Sequence, residues 1–201
     1  MNSIIPRAGD LGQEPLAGDL AECLQQLDEA DIDARGLVAG LNEKQFHWSP
    51  IASRWSIGQC LVHLIMVGRI YLPIMDEAIQ LARAEHIVSR GPYRYGFVER
   101  WFVNSTEPPP SLRLRTPASA RPPDNQPLDQ VVADFKAMQD ELRERIRASN
   151  RLDLARVRIE SPFAKSLKMG LGTSHQFLAA HERRHLWQAW QVRKHAEFPA
   201  E

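Results

Sequence analysis

The length, composition and charge of the chain favour one globular domain and argue against a nucleic-acid partner. Its 201 residues are 43% hydrophobic and 25% charged, and 25 basic side chains balance 25 acidic ones. A nucleic-acid-binding protein normally carries a basic excess that neutralises phosphates. We therefore expect a single domain over residues 1–201, with no nucleic acid as its partner.

The apolar segments predict neither a secretory signal nor a membrane span. The first residues lack an apolar core of signal-peptide length. The most apolar run, residues 60–67, is much shorter than the roughly 20 residues that cross a bilayer. Cys23 and Cys60 are far apart and form no CxxC motif or disulfide framework. We expect a cytoplasmic protein without a membrane partner.

Four segments have apolar residues spaced three or four apart, which is the period of an amphipathic helix. They cover residues 16–41, 55–83, 128–148 and 173–194. The second segment is apolar nearly all round, so we expect it to lie at the centre of the fold. Ser56 and Thr173 each precede a glutamine by three residues, and each pair predicts a capping box at a helix start. Pro73 predicts a kink in the second helix.

A long connection, residues 86–126, joins the second and third helices. Six prolines in its second half exclude regular helix there. Phe97 to Phe102 have the spacing of one short amphipathic helix, and their aromatics favour a segment that covers the core over one with a direct function. A short extended piece at 154–159 precedes the last helix. The chain is thus predicted to be all-α, a four-helix bundle with a long proline-rich crossover between helices 2 and 3.

Three histidines are the main candidates for chemistry. His181 and His185 are four residues apart, so a helix presents both rings on one face, about one turn apart. Phe177 and Leu178 share that face, which makes it the inward one. His63 interrupts the most apolar stretch of the chain, where an unpaired polar group would cost about 1–3 kcal/mol. One divalent ion shared by the three rings would satisfy them and leave a coordination position open, as in catalytic sites.

The residues alone leave the identity of the metal and the role of neighbouring side chains open. Imidazole nitrogen suits zinc, nickel or iron, and manganese is a further candidate. Each histidine also fits the role of a hydrogen-bonded core residue. Cys60 is either a fourth ligand or a small core residue. Gln188 lies one turn after His185, where it can hydrogen-bond to a ligand or to a metal-bound water.

Residues 181–185 also match HExxH, the pattern in which the glutamate is the general base of a zinc peptidase. The extended form of that pattern needs a glycine and a third histidine, where this chain has Gln188 and Gln191. The sequence therefore argues against a peptidase. Glu182 remains a candidate for proton transfer at the site.

The segments WSIGQCLVHL, residues 55–64, and HERRHLWQ, residues 181–188, together resemble motifs of the DinB-like superfamily, and the likeness extends over nearly the whole chain. The resemblance implies a four-helix bundle that holds one divalent metal ion by His63, His181 and His185. It also implies frequent homodimers. Enzymes similar to this family transfer low-molecular-weight thiols to electrophiles, with the metal activating the thiol.

We therefore predict a metal-dependent S-transferase whose partners are a small-molecule thiol and an electrophile. Gln188 and Glu182 are the predicted residues that orient ligands or move protons. Two other functions stay open. One is metal-dependent hydrolysis, in which the open position activates water. The other is a non-catalytic metal-binding or dimerisation module, in which the ion stabilises the fold.

Overall fold

The computed structural model describes residues 15–110 and 116–200. Over these ranges the chain is mostly helical and contains one two-stranded hairpin. The helices are α1 (Gly18–Val38), α2 (Glu43–Phe46), α3 (Ile57–Ala84), α4 (Phe97–Thr106), α5 (Leu128–Ala148) and α6 (Leu171–Arg193). Strands β1 (Arg158–Ser161) and β2 (Ala164–Gly170) pair antiparallel between α5 and α6.

The four long helices, α1, α3, α5 and α6, pack side by side around a common core. α3 packs against α5 and α6, and α1 packs against the same two helices from the other side. Their inward faces form one cluster of buried apolar side chains, including Leu27, Leu37, Tyr71, Met75 and Leu142. The four predicted helical segments are therefore helices in the structure. The first ends earlier than predicted, and α2 follows it as a separate turn of helix.

α3 is the most apolar helix, and it brings the first candidate histidine into the core. Its predicted capping box is confirmed, because Ser56 Oγ accepts from the Gln59 amide while Gln59 Oε1 accepts from the Ser56 amide. The helix continues through Pro73, where the sequence predicted a kink. By length and composition α3 could cross a membrane, but 67% of its most apolar window is buried inside the fold. The central helix of a helical domain can also be this long and this apolar, and it is likewise mostly buried.

The start of α6 differs from the prediction. The helix begins at Leu171 with Gly170 as its N-cap, so Thr173 lies inside the first turn and does not cap it. The predicted extended piece at 154–159 is mainly a turn that leads into β1, and the β-hairpin modifies the all-α prediction. A Cβ at Gly170 would lie 2.9 Å from the carbonyl oxygen of Leu154. This close approach requires glycine at the junction of strand and helix.

The predicted crossover is partly structured. Residues 111–115 of it, like residues 1–14 of the predicted domain, lie outside the described residues. The predicted short helix is confirmed as α4, and it packs along α6 through Phe102, whose ring stacks on Phe177 with centroids 5.0 Å apart. The second half contains a 3₁₀ turn, Ala118–Ala120, and then reaches the start of α3. There Gln59 Nε2 donates to Asp124 Oδ1 at 2.7 Å.

The close packing of α3 on α5 depends on Gly68. A Cβ at this position would lie 2.8 Å from Cγ of Met138, a side chain that is 1% exposed. We expect Gly68→Ala to lower the free energy of unfolding by about 1–3 kcal/mol, because the added methyl overpacks the contact. Urea denaturation measures this. A Gly68→Ala, Met138→Ala double variant should show less than additive loss, and strict additivity would contradict the proposed contact.

Candidate metal centre

His63 lies on the second turn of α3, with its ring held by the crossover. The side chain is buried, and His63 Nδ1 lies 2.7 Å from the carbonyl oxygen of Ala120. A carbonyl only accepts hydrogen bonds, so Nδ1 carries the proton of the neutral ring. The lone pair is therefore on Nε2, which is directed toward α6.

The structure brings the three predicted histidines together. Nε2 of His63 lies 3.2 Å from Nε2 of His181, and His185 lies beside both, with ring centroids 4.5 Å from each. One ligand nitrogen from each ring falls within 4.8 Å of the other two. Two imidazoles on one tetrahedral zinc ion, at the usual bond length, have nitrogens about 3.4 Å apart. The spacing of the three rings therefore fits one ion between them.

Gln188 positions the ring of His185. Its Oε1 lies 3.1 Å from His185 Nδ1 across one turn of α6. An amide oxygen accepts, so Nδ1 of His185 is protonated and its lone pair lies on Nε2. The Ala120 carbonyl therefore fixes the tautomer and orientation of the His63 ring, and Gln188 fixes those of the His185 ring, as a metal ligand needs. Gln188, a candidate from the sequence, is thus in contact with a candidate ligand in the structure.

We expect Gln188→Ala to weaken metal binding by about 10- to 100-fold, because hydrogen bonds to metal ligands typically contribute this much to affinity. Competition for the ion with a coloured chelator measures it. Gln191→Ala is the matched control, since Gln191 is exposed on the same helix and should leave the affinity unchanged. Equal affinities of the two variants would contradict the role given to Gln188.

All three imidazoles are held in the neutral form. Burial lowers the pKa of His63. Burial lowers the pKa of His181 and His185 well below the ordinary value, and nearby histidines and Arg184 lower it further. Metal binding requires the deprotonated ring. The low pKa values therefore mean that protons compete weakly with an ion at this site.

Aromatic rings surround the three histidines. Trp55, in the loop before α3, stacks on His185 at 5.6 Å and lies 4.8 Å from the ring of His63. Phe177 lies 5.4 Å from His181 on the side of α4. These rings restrict water around the nitrogens and lower the local dielectric constant. From the sequence, Trp55 was expected at the start of the second helix and within the family motif, and this contact with the histidines was not predicted.

The other two residues that the sequence singled out lie elsewhere. Cys60 is fully buried in the apolar core, where burial raises the pKa of its thiol. Among the described residues, the group that can hold a metal consists of the three histidines without it. Glu182 is buried against α5, and its Oε2 accepts a 2.7 Å hydrogen bond from Gln139 Nε2. Burial raises the pKa of Glu182 to about 8.

This position of Glu182 gives the peptidase interpretation no support. A peptidase glutamate must reach a water on the metal, whereas the carboxylate of Glu182 is directed toward Gln139 on α5. Gln139 itself was missed by the sequence analysis. Its position on the inward face of α5, between apolar neighbours, is the one feature that would have indicated a buried polar partner.

Comparison with known protein families identifies a matching family model. A family model described as the DinB superfamily matches residues 26–189, a range that includes all three histidines. No curated protein and no solved structure was found to be significantly similar to the chain.

Proposed function

The chain belongs to the DinB superfamily, and from this premise we propose that it is a metal-dependent S-transferase for a low-molecular-weight thiol. The proposed architecture is a four-helix bundle of α1, α3, α5 and α6, with a divalent ion held by His63, His181 and His185. The observation that carries the proposal is the convergence of one nitrogen from each of these rings within 4.8 Å. Three protein ligands leave a position open for a substrate atom.

When bound, the ion would lower the pKa of a coordinated thiol, so that thiolate predominates near neutral pH. The contribution of the chain is to prepare the ligands. The Ala120 carbonyl and Gln188 hold two rings in the correct tautomer. Trp55 and Phe177 pack against the rings and limit water that would compete with thiolate for an electrophile. In this proposal Gln188 is a positioning residue, which acts through its contact with His185.

Glu182 has a different role in this proposal. Its carboxyl group is bonded to Gln139 and lies on the α5 side of α6. Among the described residues, none of its hydrogen bonds reaches the three imidazoles. We assign it to the hydrogen bond that links α6 to α5 across the core instead of to proton transfer.

The test is a transfer assay with the metal-loaded protein. Cysteine, glutathione, bacillithiol and mycothiol are each mixed with 1-chloro-2,4-dinitrobenzene, and the absorbance of the thioether product is followed. In this reaction the thiolate sulfur bonds to the ring carbon, chloride leaves, and the thiol proton goes to buffer. We expect at least one thiol to react faster with the wild type than with His63→Ala. Rates equal to the uncatalysed rate for every thiol would contradict the transferase proposal.

The same samples distinguish the alternatives. A non-catalytic module predicts that the ion raises the melting temperature while every thiol gives the uncatalysed rate. A hydrolase predicts turnover of an activated ester, such as 4-nitrophenyl acetate, that depends on the ion but not on added thiol. Either result would replace the transferase proposal and leave the three-histidine site intact.

A further inference from the structure

A cavity of about 520 Å³ lies between α4 and the β-hairpin. Its walls are largely apolar, with Trp101 and Phe102 from α4 and Leu167 and Met169 from β2. Volumes of 300–1,000 Å³ with mostly apolar walls and a few polar groups are typical of small-molecule sites. The three histidines do not line this cavity, so it is distinct from the metal centre.

The apolar side of α4 that borders the cavity is open to solvent. Phe97 is 76% exposed and Trp101 is 55% exposed. The helix is nevertheless firmly anchored, since the Glu99 carboxylate accepts hydrogen bonds from the Gly96 amide, the Gly170 amide and Arg158 Nη1. A firmly held helix with exposed aromatic side chains is typical of a binding site for a ligand or another molecule.

Polar groups on the cavity wall indicate the chemistry of the ligand. Thr173 is 1% exposed, and its hydroxyl has no hydrogen-bond partner among the described residues. It lies in the first turn of α6, at the positive end of the helix dipole. Buried hydroxyls normally have a partner, so this one is suited to donate to a ligand oxygen.

The charges around the cavity also favour an anion. Of its basic side chains, Arg158 pairs with Glu99, and Lys168 pairs with Glu160 at 3.0 Å. Arg94 is exposed, and within the described part of the chain it forms no ion pair. The Gly170 amide already donates its hydrogen bond to the Glu99 carboxylate. Arg94 and Thr173 are therefore the groups that remain for an acidic ligand.

We propose that this cavity binds a small amphipathic acid, a carboxylate that carries an apolar chain or ring of about ten carbons. The carboxylate bonds to Arg94 and to the Thr173 hydroxyl, since charge-assisted hydrogen bonds are the stronger ones. The apolar body lies against Trp101, Leu167 and Met169. The site does not depend on the proposed S-transferase function. Phe102 is stacked on Phe177, which contacts His181, so the two sites are neighbours without sharing a lining histidine.

Decanoate, below its micelle concentration, is the probe, and titration calorimetry with tryptophan fluorescence is the measurement. We expect saturable binding of one decanoate per chain, with neutral decanol bound at least about tenfold more weakly. Arg94→Gln and Thr173→Val should each weaken decanoate binding by about tenfold, the factor expected for one charge-assisted hydrogen bond. Trp101→Ala should weaken decanoate and decanol alike. His63→Ala should bind decanoate as the wild type does.

Arg100→Gln is the matched control, because Arg100 is an exposed arginine of α4 that does not line the cavity. Arg94 is also exposed, so Arg94→Gln tests the proposal even if Thr173→Val disturbs folding. Equal affinity for decanol and decanoate, or equal effects of Arg94→Gln and Arg100→Gln, would overturn the proposal. So would a dimer, detected by sedimentation, that dissociates in Trp101→Ala and does not bind decanoate.

Discussion

Replacing His63 by alanine is expected to lower the affinity for a divalent ion by about 100-fold or more. Residues that only support a ligand typically change metal affinity by about 10- to 100-fold. The loss of a ligand itself should have a larger effect. The group of described side chains that could hold an ion contains three histidines and no fourth donor that could replace His63. Metal analysis of protein purified without chelator, followed by chelator competition, measures the change.

Thermal unfolding gives an independent measure of the same effect. An ion present at 100 times its dissociation constant stabilises the folded protein by about 2.7 kcal/mol, and this gain should disappear in His63→Ala. His86→Asn is the control, because His86 is exposed and has a φ of 54°, which asparagine tolerates. A wild type that carries no ion, or a His63→Ala variant that keeps it, would contradict the proposed centre.

Replacing Glu182 by glutamine is expected to stabilise the protein at alkaline pH. Burial raises the pKa of this carboxyl from 4.5 to about 8 in the folded state. Between these values the folded chain holds a proton that the unfolded chain has lost, so the free energy of unfolding falls as pH rises. The full loss, reached above pH 8, amounts to about 5 kcal/mol at most. Glutamine carries no such charge, and its amide oxygen can accept the bond from Gln139.

Urea denaturation at pH 5 and pH 9 measures this difference. Glu182→Gln should exceed the wild type by about 3–5 kcal/mol at pH 9 and by little at pH 5. Glu144→Gln is the control, since the side chain of Glu144 is 72% exposed. A gain at pH 9 no larger than the gain at pH 5 would refute the buried ionisable role. Undiminished metal binding by Glu182→Gln would support the assignment of this residue to the hydrogen bond with Gln139.

The convergence of the three histidines could be predicted because it depends on helical periodicity. His181 and His185 share a face with Phe177, and His63 lies in an apolar stretch, so each ring had to turn inward once the segments became helices. The group of described side chains that could hold a metal ion contains the same three residues. The same helical periodicity directs Glu182 away from the face that carries the two histidines. It is offset by about 100° from His181 on the helix, and the structure places it against α5.

The partners supplied by loops could not be predicted in this way. The Ala120 carbonyl that holds His63 is a backbone atom, and its position depends on how the crossover returns to α3. Sequence analysis expected the aromatics of that crossover to cover the core, yet Phe102 does so while Trp101 stays exposed. A helical period shows that one face is apolar, but not whether a neighbour will bury it. The hydroxyl of Thr173 does not cap α6 as predicted, because the helix begins directly after the hairpin, at Leu171. The position of the hairpin could not be read from the helical period.

Anomalous diffraction from crystals of the metal-loaded protein tests the central claim most directly. Data collected above and below the absorption edge of the bound ion locate it without ambiguity. We predict one anomalous peak per chain, at about 2.0–2.2 Å from a nitrogen of each of His63, His181 and His185. A peak bound elsewhere, or metal-loaded crystals with no peak between the three rings, would contradict the account.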